Sequence, residues 1–288
     1  MSAKRTVGEL FAEVENLLCE CESASFDATC ILEDIGKIGR GNLRTKWNDR
    51  LSENDEKAVL NAAKKRSEGY PLQYLLGTWD FLTLTLAVGD GVLIPRPETE
   101  LLCEAVAQKI QKKTCLQPVS VWDLCAGSGC VGLGIASLLP KTKTALTEVE
   151  LSEKAALYLK KNIQRYAPKT ARIIMANVLE GSDCVKESID VLVSNPPYIP
   201  TGDLADLQRE VQYEPTMALD GAIDGLVFYR AIAEKWFPKV VSGGIVAVEI
   251  GIGQSAAVTE IFSSFGLSQI QVLPDLAGID RVIIGVMP

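Results

Sequence analysis

The 288-residue chain is 47% hydrophobic and 23% charged, which makes it globular and long enough for one large domain plus a small one. Lys and Arg total 29 against 37 Asp and Glu, a formal charge of -8, and that balance argues against a broad basic face for DNA or RNA. There is no histidine, so imidazole bases are excluded, and no metal site is expected. The eight cysteines, Cys115 and Cys184 among them, form no C-x-x-C pair and are expected to be buried, reduced thiols of a cytoplasmic protein. Residues 1–10 lack the apolar core of a secretory signal, and no apolar run approaches the ~20 residues that span a bilayer.

Val7, Leu10, Phe11, Val14, Leu17 and Leu18 follow the i, i+3, i+4, i+7 spacing of an amphipathic helix. A second helix is predicted over 26–35, broken by Gly36, Gly39 and Gly41, with loop over 43–50. Ser52 with Asp55 resembles a capping box, Asp replacing the usual Glu, before a third helix ending near Gly69. Residues 1–70 therefore read as a small helical domain. Its stretch 37–66 holds nine Lys/Arg and four Asp/Glu, an excess expected to be a solvated face.

Residues 81–88 alternate with period two and then turn at Gly89-Asp90-Gly91, which predicts a hairpin within a 71–94 linker. Thr99 is placed to start a helix over 100–112. From Val119 onward strands and helices alternate. Strands are predicted at Val119–Leu124, 144–149, 172–175, Ile189–Ser194, 244–250, 267–273 and 282–286. Helices are predicted at 131–139, 152–165, 225–241 and 255–265. Such alternation means an α/β domain over 95–288, a mostly parallel Rossmann-like sheet with helices on both faces.

The run Asp190-Val191-Leu192-Val193-Ser194 ends in Asn195-Pro196-Pro197-Tyr198. The prolines remove two N–H donors and fix φ, so pairing stops and a stiff loop is left at a strand's carboxyl end, where open α/β sheets bind ligands. Asn195 offers a side-chain carbonyl and Pro196 a backbone carbonyl with no competing N–H. Two such acceptors can take both hydrogens of a planar –NH₂ group, and Tyr198 supplies a flat face for its π-system. The tetrad is similar to the signature of S-adenosylmethionine-dependent methyltransferases that act on planar amide or amino nitrogens.

Between the first strand of that domain and its helix lies Asp123-Leu124-Cys125-Ala126-Gly127-Ser128-Gly129. Gly127 and Gly129 let the backbone approach a ligand and turn sharply. The spacing is not G-x-G-x-x-G and no Lys follows, so neither dinucleotide nor P-loop binding fits. Asp123 at the strand's end can pair with a cationic amine, which suits the methionine part of S-adenosylmethionine. A carboxylate ending the next strand would accept both ribose hydroxyls, and Glu148 and Glu150 are the candidates.

Four motifs occur in order: Leu93-Ile94-Pro95-Arg96-Pro97-Glu98-Thr99-Glu100, Asp123 to Gly129, Asn195 to Tyr198, and Tyr213-Glu214-Pro215. Asp224-Gly225-Leu226, Val248-Glu249-Ile250-Gly251 and Asp280-Arg281-Val282 follow. Together they closely resemble the release-factor glutamine methyltransferases (the HemK/PrmC family) along the whole chain. The resemblance implies a class I methyltransferase sheet that transfers a methyl group from S-adenosylmethionine to the glutamine amide in the Gly-Gly-Gln motif of peptide chain release factors. Glu150-Leu151-Ser152-Glu153-Lys154-Ala155 resembles the family's Asp-Ile-Ser-x-x-Ala, which selects Glu150 for the ribose and leaves Glu148 a solvated charge. Asn177, beside Val178, stands where the family has an adenine-contacting Asp. Arg96, Glu98 and Thr99 fall on the substrate side, and the helical domain on the release factor. Two rival readings are a DNA adenine-N6 methyltransferase, which would use the same tetrad on a flipped base, and a non-enzymatic S-adenosylmethionine-binding module.

Overall fold

Residues 5–112, 118–167, 169–181 and 187–288 are described by a computed structural model; Cys115 and Cys184 lie outside these described residues. The chain divides into two compact units, Met1–Thr78 with Gln208–Tyr213, and Trp79–Leu207 with Glu214–Pro288.

The first unit is helical: α1 (Val7–Leu17), α2 (Ala24–Cys30), α3 (Glu53–Ser67) and α4 (Leu72–Leu76). Thr6 and Glu9 form a full capping box at α1, a T-x-x-E signal that the sequence reading passed over. A π turn over Ile31–Ile35 carries α2 on to Gly36. Ser52 caps α3 by accepting from Asp55 N at 3.2 Å, but the Asp55 carboxylate goes to Lys37 (2.7 Å) and to the Ser52 hydroxyl, so only half of the expected box forms. Val7, Leu10 and Val14 on α1, Ala28 on α2 and Val59 and Ala63 on α3 are buried. Each fully buried Val or Leu of this set contributes ~1.5–3 kcal/mol, and an alanine methyl about 0.8 kcal/mol. The basic stretch is exposed along most of its length, with one correction: Arg66 is buried, and its guanidinium donates to Asp27 at 2.6 Å and to Glu210 at 2.8 Å. Those two bonds fasten the returning segment 208–213 to α3.

The second unit opens with a hairpin of β1 (Thr78–Phe81) and β2 (Leu84–Ala87). The turn falls at Leu82-Thr83, with Leu82 at φ 51°, and not at Gly89-Asp90-Gly91 as the alternation predicted. Period two runs through the turn unbroken because Leu82, although it sits in the turn, keeps the even parity of Leu84 and Leu86 and packs on the same core, while β1 buries the odd-numbered Phe81 there. Helix α5 (Pro97–Gln111) begins earlier than expected: Pro97 takes the first helical position, where its missing N–H costs nothing, and Thr99 lies inside the first turn.

Seven strands follow: β3 (Val119–Leu124), β4 (Thr144–Glu150), β5 (Ala171–Met175), β6 (Ile189–Ser194), β7 (Val240–Glu249), β8 (Ser268–Pro274) and β9 (Asp280–Val286). They lie in the order β5-β4-β3-β6-β7-β9-β8. Pairing is parallel from β5 through β7, and β9 runs antiparallel to both its neighbours. Alternate residues supply two cores. Val121, Val191 and Ala247 pack under α5, α6 (Cys130–Leu138) and α7 (Glu153–Tyr166), while Trp122, Leu192 and Val246 pack under α8 (Val227–Ala231) and α9 (Ser255–Ser264). Burial on both faces is what makes these strands read as unbroken apolar runs. The predicted 225–241 helix is α8 followed by a π turn and a 3₁₀ turn, and residues 240–241 already belong to β7. Strand order reverses between β3 and β6, so their carboxyl ends flank the crevice where doubly wound sheets bind ligands.

Candidate active site

A cavity of about 360 Å³ opens at that reversal, inside the range of small-molecule sites. One wall is the glycine loop after β3. Cys125 holds φ 59° and Gly127 φ 57°, and a Cβ at Gly127 would have nothing nearer than 4.0 Å, so its backbone faces open space. Cys125, Ala126, Gly127 and Ser128 line the cavity as expected. Gly129 does not: it starts α6 at φ 80°, and a Cβ there would sit 2.6 Å from Leu159 Cδ1, so this glycine serves packing. The loop is also braced by a residue that sequence reasoning missed. Buried Asn162 on α7 donates to the Ser128 carbonyl at 2.9 Å while pairing with both backbone groups of Ala87.

The two acidic residues ending β4 separate cleanly. Glu150 lines the cavity, with Oε2 accepting from Gly127 N (2.7 Å) and Oε1 from Leu151 N (2.9 Å) and Ser152 N (2.6 Å). Three backbone donors thus fix a carboxylate at the strand end, and of its roughly four lone-pair sites one, on Oε2, remains open to a ribose hydroxyl. Glu148 is no solvated charge: it is fully buried and stands opposite Asp123 in the β3–β4 register. Asp123 is likewise corrected, being 1% exposed, absent from the cavity wall, and accepting from Gly132 N at 2.9 Å. Its Oδ1 is sealed from solvent and its Oδ2 is held by the first turn of α6. Asn177 and Val178 line the cavity, and the Asn177 side-chain Oδ1 accepts from Leu179 N at 3.0 Å.

The opposite wall carries the tetrad after β6. Asn195 and Pro197 line the cavity; Pro196 is buried and Tyr198 is turned away. The Tyr198 ring lies against Gly251, and its hydroxyl donates to Glu249 Oε1 at 3.3 Å, which takes it out of the expected stacking position. Burial, then the Glu249 charge, push the Tyr198 hydroxyl pKa well up. Asn195 Nδ2 donates to Thr99 Oγ1 at 3.2 Å, and Thr99 donates to Glu249 Oε2 at 2.6 Å. Among the described residues nothing donates to Asn195 Oδ1 or to the Pro196 carbonyl.

Arg96 and Thr99 line the cavity, whereas Glu98 is exposed and does not. Arg96 is paired with buried Glu214, which also accepts from Ile94 N at 2.9 Å; burial pushes that carboxyl up against the pull of the guanidinium. Glu214 and Glu249 sat inside motifs quoted from the sequence without roles, and only their partners 118 and 150 residues away reveal them. The segment 216–222, with Met217, Asp220 and Ala222 on the wall, had no sequence signal beyond the Glu214-Pro215 before it. Among the described residues no group of His, Cys, Asp or Glu could hold a metal ion.

The donor set suits S-adenosylmethionine: a fixed carboxylate for a ribose hydroxyl, an amide for an adenine edge, and an open glycine loop for the amino-acid tail. Residues 9–77 match the PrmC N-terminal domain and residues 97–210 the methyltransferase small domain. The chain is 36% identical to a protein of Thermodesulfovibrio yellowstonii and 35% identical to one of Geobacter sulfurreducens, each named release factor glutamine methyltransferase. The alignments cover 90% and 92% of this chain and 91% and 90% of theirs. Among solved structures, the hMettl16 catalytic domain in complex with a MAT2A 3'UTR hairpin superposes with a TM-score of 0.56 at 12% identity, covering 82% of this chain and 83% of that one. A T. thermophilus 16S rRNA methyltransferase (RsmC) in complex with AdoMet and guanosine gives 0.50 at 20% identity, over 73% of this chain and 50% of its own. At those identities the likeness is one of fold, that of the class I methyltransferases.

Proposed function

The chain belongs to the release factor glutamine methyltransferase family, and from that premise we propose how its residues act. It is an S-adenosylmethionine-dependent protein-glutamine N-methyltransferase. Its target is the side-chain amide nitrogen of the glutamine in the Gly-Gly-Gln motif of peptide chain release factors. Bound S-adenosylmethionine supplies an electrophilic methyl group; Glu150, Asn177, Val178 and the 125–128 loop would hold it.

The target nitrogen is a poor nucleophile because its lone pair is delocalised into the carbonyl. Asn195 Oδ1, with the Pro196 carbonyl next to it in the chain, accepts the two N–H groups and fixes the nitrogen's direction. Positioning of this kind is worth up to ~7–11 kcal/mol. The same acceptors favour the positive charge that grows on nitrogen as the bond forms. No base is needed beforehand, since the N–H proton leaves to water after transfer. Arg96, held by Glu214, lies on the substrate side of the wall.

We further assign the helical residues 1–70 to gripping the release factor, with 71–94 joining them to the catalytic residues 95–288. The net charge of -8 supports a reading without direct nucleic-acid binding. The six described cysteines are free thiols, which supports a cytoplasmic location. No helix among the described residues is long and apolar enough to cross a membrane. Neither a DNA adenine methyltransferase nor a non-enzymatic module is favoured by the relatives.

The observation that carries this reading is Asn195 on the wall of the cavity that Glu150 also lines, with its Nδ2 committed to Thr99 and its Oδ1 receiving no bond from any described residue. The test is incubation with methyl-labelled S-adenosylmethionine, purified release factor and a release-factor variant lacking the glutamine. Label on that glutamine's side-chain nitrogen alone is expected; label retained by the variant overturns it.

A further inference from the structure

A single buried carboxylate reaches both ends of the Asn-Pro-Pro-Tyr tetrad. Glu249, 2% exposed at the end of β7, accepts from Thr99 on one oxygen and from Tyr198 on the other. Thr99, itself fully buried, links Glu249 to Asn195. The geometry points to Glu249 as a positioning residue that sets the polarity of the Asn195 amide through Thr99, so that an acceptor and not a donor meets the substrate amide.

The argument is one of proton counting. An ionised carboxylate can only accept, so the single hydroxyl proton of Thr99 must point at Glu249. Thr99 Oγ1 is then left with lone pairs alone on its other side, and the Asn195 group facing it must be the NH₂. Asn195 Oδ1 is thereby turned to the cavity. Reversing the first link reverses the last: a donor at position 249 would let the Thr99 hydroxyl point at Asn195 Oδ1. The NH₂ would then confront the NH₂ of the substrate glutamine, and two donors repel. This inference rests on the amide-methylating reading above and adds to it the residue that makes Asn195 competent.

The lock opens on protonation. Burial pushes the Glu249 carboxyl up to about 7, against the pull of Thr99, Tyr198 and Arg281. The titratable groups around it are Glu98 and Cys103 on α5, Cys130 at the start of α6, Tyr198 and Tyr229, and Arg281 on β9. Of these, only Arg281 is cationic and holds Glu249 ionised. As pH falls through about 7, Glu249 gains a proton and becomes able to donate to Thr99, so transfer should decline while cofactor binding does not.

The test is single-turnover methylation of release factor at saturating S-adenosylmethionine from pH 6 to 9, by the parent, Glu249→Gln, Thr99→Ser and Thr99→Val. Glu249→Gln and Thr99→Val should each lose at least about tenfold in rate with KM within a few-fold, the loss of one hydrogen bond used in the transition state. Thr99→Ser keeps the hydroxyl and should stay within about threefold. The parent's acid limb should vanish in Glu249→Gln. Rates and profiles of Glu249→Gln and Thr99→Val matching the parent overturn the lock. A parent that transfers nothing to release factor instead sinks the functional reading, and the lock is then judged by ¹⁵N spectroscopy. The Asn195 side-chain NH₂ signal should titrate near neutral pH in the parent and stay fixed in Glu249→Gln; a parent signal that ignores pH contradicts it.

Discussion

Asp123 on β3 stands opposite Glu148 on β4 in the parallel register, and both carboxyl groups are sealed from solvent against Gly132 of α6. Among the described residues no hydroxyl or amide donor reaches Asp123 Oδ1 or either Glu148 oxygen. A proton retained on Glu148 is what lets the two coexist. Burial pushes Asp123 up to about 7, and burial with the adjacent Asp123 charge pushes Glu148 well above its usual range.

The pair carries a pH signature. Unfolded, both groups ionise near pH 4; folded, they hold protons to about pH 7 and beyond. The folded state binds more protons across that window, so stability falls as pH rises through it. Glu148→Gln removes one ionisation and leaves an amide that can donate to Asp123. At pH 8 it should be ~1–3 kcal/mol more stable than the parent, with the gap closing by about pH 4. Urea unfolding at both pH values measures this; an equal gap at both would exclude the shared proton.

Cofactor affinity should separate the two glutamates. Glu150→Ala removes a charged acceptor on the cavity wall and releases Gly127 N, so S-adenosylmethionine should weaken by ~1.5–3 kcal/mol per charged hydrogen bond lost. Glu148→Gln should bind within a few-fold of the parent. Calorimetric titration giving the reverse order would move the ribose ligand off Glu150.

The parallel core was legible because its strands are apolar on both faces, and the tetrad because two prolines punctuate β6. The depth of the acidic residues was not. Glu148 and Glu150 share parity on one strand, and nothing local says that the first points at Asp123 and the second at a loop amide. The hairpin turn was hidden by an alternation that continues through it. Glu249 illustrates the general difficulty: its partners Thr99 and Tyr198 are 150 and 51 residues away, and only the folded sheet brings them together. The Asp in the capping signal at Ser52 misled for a local reason, since Lys37 competes for its carboxylate.

In the helical unit, Arg66→Met should strand Asp27, which is 4% exposed, and free segment 208–213 at Glu210. Breaking one partner of a buried pair costs ~3–5 kcal/mol. Burial already raises the Asp27 carboxyl and Arg66 opposes that, so in the variant Asp27 takes a proton more readily and the deficit should shrink as pH falls. Amide hydrogen exchange of α2 and α3 at two pH values reads this directly; unchanged protection would make the pair dispensable.

Asn195→Ala tests the central claim, that an amide acceptor on the cavity wall orients the glutamine nitrogen for methyl transfer. The substitution leaves Glu150 and the glycine loop in place, and it removes an interaction that strengthens in the transition state. One such hydrogen bond corresponds to ~1.5–3 kcal/mol, about 10–100-fold in rate. The measurement is single-turnover methylation of release factor by the folded variant, beside a calorimetric S-adenosylmethionine titration. The account predicts a rate loss of at least about tenfold with cofactor affinity within a few-fold of the parent. An unchanged rate, or a lost cofactor, would contradict it.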